Sequence, residues 1–409
     1  MSMTSETRLY YDPYDFEIDN DPYPVWKRMR DEAPLYYNER YDFWALARHE
    51  DVQKALVNWE VFSSSRGDLL DVLRADIEIP TGVVMWEDPP VHTSHRGLLS
   101  RVFTPKRMAL LEDQVRAYCI RCLDPLVGLD GFDVITELAS MLPMRVIGML
   151  LGIPEEDQVA VRDKTDRDLR TRPGQPMRIE QSEVVTGAMF ADYVDWRSHH
   201  PSDDLMTMLL NAEFEEESGE TRTLSRQEVL TYTSVLAGAG NETTGRLIGW
   251  LAKVLAEHPD QRRLVVDDRS LIPNVIEETL RFEPTGHASA RYVTKDVEYY
   301  GTTLPAGSAV LLLMASANRD PRRFENPAAY DINRNDGQHM TFGYGLHFCL
   351  GAHLARLEGR IALDELLNRW PEWDVDYRGI KLASTSTVRG WERLPIIVPT
   401  NQRRVSGKA

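Results

Sequence analysis

One stretch limits what this chain can fold into more than any other. Ser225 and Glu228 form an S-x-x-E capping box, and apolar positions continue from there to His258-Pro259, a firm helix stop. About 32 residues rising 1.5 Å each make a helix of about 48 Å, long enough to cross a whole molecule. Its middle, Val235-Leu236-Ala237-Gly238-Ala239-Gly240-Asn241-Glu242-Thr243-Thr244, is unusual for a helix interior. Each glycine there costs about 1 kcal/mol relative to alanine. A buried Glu242 would cost more unless it were paired. Small residues at this point serve either close helix packing or a large flat object lying against this face with polar groups beside it.

The rest of the chain reads as mainly α with small peripheral β-sheets, an α+β body. Helical patterns run over Pro22 to Arg30, Pro105 to Val127, and Ile135 to Leu151, the last closing on Gly152 and Pro154. Thr171 to Gln175 reads as a loop, and the acidic run Glu213 to Glu220 as a solvated connection. Strand signals cluster late. Val297 to Tyr300, Thr302 to Gly307 and Ala309 to Leu313 read as a hairpin around a Pro-Ala-Gly turn, with further short strands at Trp373 to Tyr377 and Pro395 to Val398.

The run Phe342-Gly343-Tyr344-Gly345-Leu346-His347-Phe348-Cys349-Leu350-Gly351 carries the chemistry. Its glycines permit a tight loop. The cysteine falls just before a helical pattern, Ala352 to Leu366, whose N-terminal N–H groups favour a thiolate. Gly351 removes a side chain where a flat cofactor would approach.

On these residues the chain resembles the cytochrome P450 haem-thiolate monooxygenases of the soluble bacterial type. The run matches F-G-x-G-x-H-x-C-x-G in full. Glu278-Thr279-Leu280-Arg281 matches E-x-x-R, Ala239 to Thr243 matches A-G-x-[D/E]-T, and His92 to Arg96 matches H-x-x-x-R. The motifs span Trp86 to Arg360, so the resemblance implies one domain over residues 1–409, with a polar segment at 1–20 and a disordered tail at 402–409. The implied cofactor is haem b, iron protoporphyrin IX, with Cys349 as proximal metal ligand. His92, Arg96, Arg291 and His347 then bind the two propionates, a task suited to guanidinium forks and imidazolium. Glu242 and Thr243 become the catalytic acid–alcohol pair that delivers protons on the distal side. Glu278, Arg281 and Arg334 are structural and hold the cysteine loop. Cys119 and Cys122 read as packing residues in a helix, and His199-His200 as a solvated loop.

The implied activity inserts one oxygen atom from O2 into a hydrophobic small molecule, a terpenoid, steroid, branched lipid or polyketide-like compound. By position, the pocket draws on Met85, Val235, Gly238, Ala239, Thr285, His287, Ala288 and Val388, with His287 and Arg389 as candidates to grip a polar end. No flavin or nicotinamide motif is present, so a ferredoxin and its reductase supply electrons, steered by Arg101, Lys106, Arg107, Arg356 and Arg360. The competing class is a non-oxidising haem-thiolate sensor or ligand-binding protein, which would need the thiolate loop but not the acid–alcohol pair. Lys+Arg total 47 against Asp+Glu 64, a net charge of −17 that repels phosphate backbones and excludes a general nucleic-acid binder. Three cysteines and no apolar run of membrane-spanning length fit a cytoplasmic protein.

Overall fold

The computed structural model describes residues 8–399 except 76, 81, 178–186, 217–218, 336 and 386–387. The tail expected at 402–409 lies outside the described residues. The architecture is mainly helical with five small sheets. No helix among the described residues is long and apolar enough to cross a membrane.

The long helix spans Arg226–Glu257, 32 residues, and starts on the expected box. Ser225 Oγ accepts from the Glu228 amide at 3.2 Å, and a Glu228 oxygen accepts from the Ser225 amide at 2.7 Å. It is buried on nearly every side, from Val229 through Trp250 to Leu255, as a helix at the centre of a large core must be. Leu142–Leu151 and Ala352–Arg369 pack against it. The two readings of its small residues divide between two glycines. A Cβ on Gly240 would approach Ile147 Cγ1 to 3.2 Å, which is packing, whereas Gly238 faces a cavity.

The cap also ties this helix to pH. Burial alone raises the Glu228 carboxyl, but the Arg222 fork at 2.7 and 2.8 Å and the Ser225 groups outweigh it and hold it at about 2, against an ordinary 4.5. A depressed carboxylate contributes stability that is whole above pH 4.5 and is lost as pH falls through about 2. Urea unfolding of wild type and Glu228→Gln is therefore expected to differ at neutral pH and to converge below pH 4.5.

Several sequence expectations need correction. The pattern at Pro105 to Val127 is three pieces, Pro105–Ala109, Glu112–Leu123 and the 3-10 turn Asp124–Leu126. Leu110 and Leu111 donate to carbonyls three residues back, and Pro125 has no N–H to continue the helix. Ile135 to Leu151 opens as a π-turn, Ile135–Ala139, and restarts with Pro143 in the first turn of Leu142–Leu151; Gly152 closes it at φ +81°. The acidic run at 213–220 is half of a hairpin, Glu213–Glu215 against Thr221–Thr223, with Phe214 buried and its flanking glutamates exposed. His199 ends the helix Ala191–His199, and His200 stacks on Trp196 with ring centres 4.4 Å apart.

Strands do not cluster late. The largest sheet orders Leu35–Asn38, Phe43–Leu46, Ala309–Leu312, Ser289–Val293 and Phe62–Ser63, so the first third of the chain supplies three of its five strands. The expected hairpin turns at Tyr300-Gly301, both with positive φ, and pairs only Val297–Tyr299 with Thr302–Leu304. Pro305-Ala306-Gly307 leads instead into the large sheet, where Val310 pairs with Arg291. That pairing fixes Arg291 on a rigid central strand.

Candidate active site

Cys349 ends a loop of backbone hydrogen bonds: its N–H donates to Phe342 O at 2.7 Å, and Gly343 N–H to Met340 O at 2.8 Å. Gly343 and Gly345 take φ of +72° and +71°, values that favour glycine. A Cβ on Gly345 would also meet Val57 at 3.1 Å. Burial pushes the Cys349 thiol up, while the Gly351 amide, Arg96 and Arg356 pull it down.

A buried ion pair supports this loop from behind. Arg281 grips Glu278 with two bonds of 2.7 Å, and Arg334 adds a third contact to Glu278 at 3.3 Å. Arg281 also donates to the carbonyls of Asn318, Pro327 and Ala329. The Asn318 side chain then accepts from Met340 N–H and donates to Thr341 Oγ1, the two residues before Phe342. The chain of contacts runs from ion pair to cysteine loop without a gap.

A cavity of about 420 Å³ separates Cys349 from the long helix. Met85, Val235, Gly238, Ala239, Ala288 and Val388 line it, and Glu242 and Thr243 reach it from the helix. Thr285 and His287 do not line it, because the extended segment alternates and presents Gly286 and Ala288. Thr285 O instead accepts from Arg389 N–H at 2.8 Å, and His287 lies beside Tyr14 and Asp71 in a separate small recess. Arg389 cannot grip a ligand either. Its guanidinium is buried on Glu283 at 2.6 Å and on the carbonyls of Asp19 and Asn20.

Glu242 Oε1 accepts from Arg246 at 2.7 Å, its Oε2 is buried without a partner, and burial raises its carboxyl against the pull of Arg246. Thr243 Oγ1 donates to Ala239 O at 2.8 Å. The Arg246 partner was readable in the sequence as an i, i+4 pair. Asp68 also lines the cavity, with its carboxylate 2.6 Å from Trp86 Nε1, and no sequence pattern marked it.

Arg291 and His347 line the cavity, and His92 and Arg96 lie close to His347. His92 and His347 lie with ring centres 4.4 Å apart, and both His92 nitrogens and His347 Nε2 are buried without partners. Burial, then Arg291, His92 and Arg96, push His347 down to about 3. Among the described residues Arg291 bonds Ser289 and Ala290 through Nη1, and Arg96 touches Phe348 O. Unpartnered ring nitrogens beside two guanidiniums suit a pair of propionates, a Cβ on Gly351 would meet nothing within 4 Å, and a thiol faces the cavity, so these residues fit haem.

The proximal surface is less basic than its sequence. Arg356 is committed to Glu277 at 2.6 and 2.8 Å, and Arg360 to Glu112 at 3.2 and 2.7 Å. Arg101, Lys106 and Arg107 have no ion pair among the described residues. Those residues also hold no cluster of three or more metal-ligating side chains, at His199-His200 or elsewhere.

Comparison with known proteins identifies the family. The cytochrome P450 family model matches residues 262–376. Cytochrome P450 123 of Mycobacterium tuberculosis is 38% identical over 398 residues, covering 96% of this chain and 98% of that protein. The vitamin D(3) 25-hydroxylase of Pseudonocardia autotrophica is 34% identical over 410 residues, covering 97% and 98%. A Bacillus megaterium structure of the same family, solved in complex with testosterone, superposes with a TM-score of 0.84 at 31% identity, covering 93% of this chain and 99% of that one. With relatives more than 30% identical over nearly the whole of both chains, the chain belongs to the cytochrome P450 family of haem-thiolate monooxygenases.

Proposed function

We propose that this protein inserts one oxygen atom from O2 into a hydrophobic small molecule, a steroid, terpenoid, branched lipid or polyketide-like compound, with electrons from a separate ferredoxin and reductase in the cytoplasm. The observation that carries the reading is the placement of Glu242 and Thr243 across a largely apolar cavity from Cys349. A sensor or carrier has no use for a proton-delivering pair there. The relatives named for vitamin D(3) hydroxylation and solved with testosterone support the substrate class.

Bound haem supplies the redox-active iron at which dioxygen is reduced. Of the chain's own residues, Cys349 would hold the iron through its sulfur. Arg96 and Arg291 would neutralise the propionates, and His92 and His347 would hydrogen-bond them and fix the ring's orientation. Val83, Met85, Val235, Ala288 and Val388 displace water and present the substrate by shape. Thr243 Oγ1 turns from Ala239 O to pass its proton into the cavity, and the Glu242 carboxyl gives up its own proton to the Thr243 oxygen in return. Arg101, Lys106 and Arg107 attract an acidic electron carrier.

Thr243→Ala tests this. With the compound that produces the largest spin-state shift in a panel of terpenoids, steroids and fatty acids, product per reducing equivalent is expected to fall about tenfold, with peroxide released in its place. Unchanged yield would remove Thr243 from proton delivery.

A further inference from the structure

The walls of the cavity that Cys349 faces carry three charged residues, Asp68, Glu242 and Arg291. Glu242 is paired with Arg246 at 2.7 Å. Arg291 and Arg96 would face the propionates, and two guanidiniums balance two carboxylates. Asp68 is left over. Among the described residues no Lys, Arg or His comes within ion-pair distance of its carboxylate, and a charge turned away from water without a partner is costly.

The chain nevertheless holds Asp68 firmly in this place. Gly67 turns at φ +109°, and its N–H donates to Ser64 O at 2.8 Å. The Ala290 N–H donates to Asp68 O at 2.6 Å, which pins the residue to the strand Ser289–Val293 of the largest sheet. Trp86 Nε1 donates to Asp68 Oδ1 at 2.6 Å, and Trp86 is itself buried with Val72 and Val83. Asp68 Oδ2 takes no hydrogen bond from another described residue, and it is not among the sealed, partnerless atoms such as Glu242 Oε2. Asp68 is half-buried and borders the cavity. The Trp86 N–H needs only an acceptor, which an asparagine would supply at this position. A carboxylate adds a charge that this contact does not require.

We infer that Asp68 is a specificity-determining residue that binds a protonated amine on an otherwise hydrophobic substrate, and so decides which part of that substrate lies toward Cys349. The inference rests on the reading of this cavity as the substrate site and narrows the substrate class to amine-bearing compounds. Leu69, Val72, Val83, Met85 and Val235 supply the apolar surface for the skeleton. In such surroundings a charge-assisted hydrogen bond is stronger than one to a neutral alcohol, and a carboxylate on the ligand is repelled. Burial raises the Asp68 carboxyl against the pull of Arg291 and Trp86, and a bound ammonium would hold it ionised.

The test uses holoenzyme and steroid, terpenoid and macrolactone skeletons, each carrying either a dimethylamino group or the neutral isopropyl group of the same shape, with Kd from titration calorimetry. For the skeleton that binds best, wild type is expected to prefer the dimethylamino form by about tenfold or more. Asp68→Asn keeps an acceptor for Trp86, so it is expected to bind the isopropyl form within about twofold of wild type while the preference disappears. Equal affinities in wild type, or a preference that survives Asp68→Asn, would overturn the role of Asp68 and leave the cavity as substrate site. A red-shifted Soret band with the dimethylamino form, the sign of amine nitrogen on the iron, would overturn it as well. Should Asp68→Asn not fold, the wild-type comparison alone decides. Failure of every skeleton in both forms would overturn the hydrophobic-substrate reading and this inference with it.

Discussion

Arg281→Ala is expected to yield protein that retains little haem and unfolds at much lower urea than wild type. The side chain is 2% exposed and satisfies both Glu278 oxygens, so its removal leaves a buried carboxylate whose remaining contacts are Arg334 and the Asp331 amide. Breaking a buried pair in this way costs about 3–5 kcal/mol, against a total stability of about 5–15 kcal/mol for a typical domain. The loss is directed at the site. Without Arg281 the carbonyls of Asn318, Pro327 and Ala329 lose a donor, and the Asn318 side chain is the link to Met340 and Thr341. Arg281→Lys is expected to rescue only partly, because an ammonium cannot make the bidentate contact and reach three carbonyls at once. Urea midpoint and haem per polypeptide measure both effects. A variant with wild-type haem content would show that the pair does not support the cysteine loop.

The second large effect belongs to Cys349→His. The positive φ of Gly343 and Gly345 and the Phe342 carbonyl bond shape the loop independently of the side chain at 349, so the variant is expected to fold. Imidazole can ligate iron, but it is neutral and donates less electron density than thiolate, and that donation favours O–O cleavage. Haem content is therefore expected to survive in part while hydroxylation falls below detection. Hydroxylation at the wild-type rate would show that the sulfur is not the working ligand.

Much of this was legible in the sequence because the residues concerned act locally. The capping box at Ser225 and Glu228, the stop at Pro259 and the glycines of the cysteine loop each have their partner within a few positions. Glu278 and Arg281 are three apart on one helical face, and Glu242 and Arg246 four apart, so their pairing follows from helix geometry alone. Long-range pairing was not legible. Leu35–Asn38 and Phe43–Leu46 are short, and only the pairing of Phe43–Leu46 with Ala309–Leu312, across more than 260 residues, places them in the sheet. The pocket walls failed at single-residue resolution for a related reason. The segment after Arg281 does reach the cavity, but alternation sends Thr285 and His287 away from it and Gly286 and Ala288 toward it. Arg389 looked free in sequence, and its partners Asp19, Asn20 and Glu283 come from distant parts of the chain.

The central claim is that Cys349 holds a haem iron through sulfur beneath the cavity that Glu242 and Thr243 face. The reduced carbon-monoxide difference spectrum of the unmodified purified protein tests it most directly. One haem per polypeptide with the absorption band of a thiolate-ligated carbonyl complex is the expected result, and Cys349→His should lack that band. A wild-type spectrum of the histidine-ligated kind, or a thiolate band that persists in Cys349→His, would contradict the account.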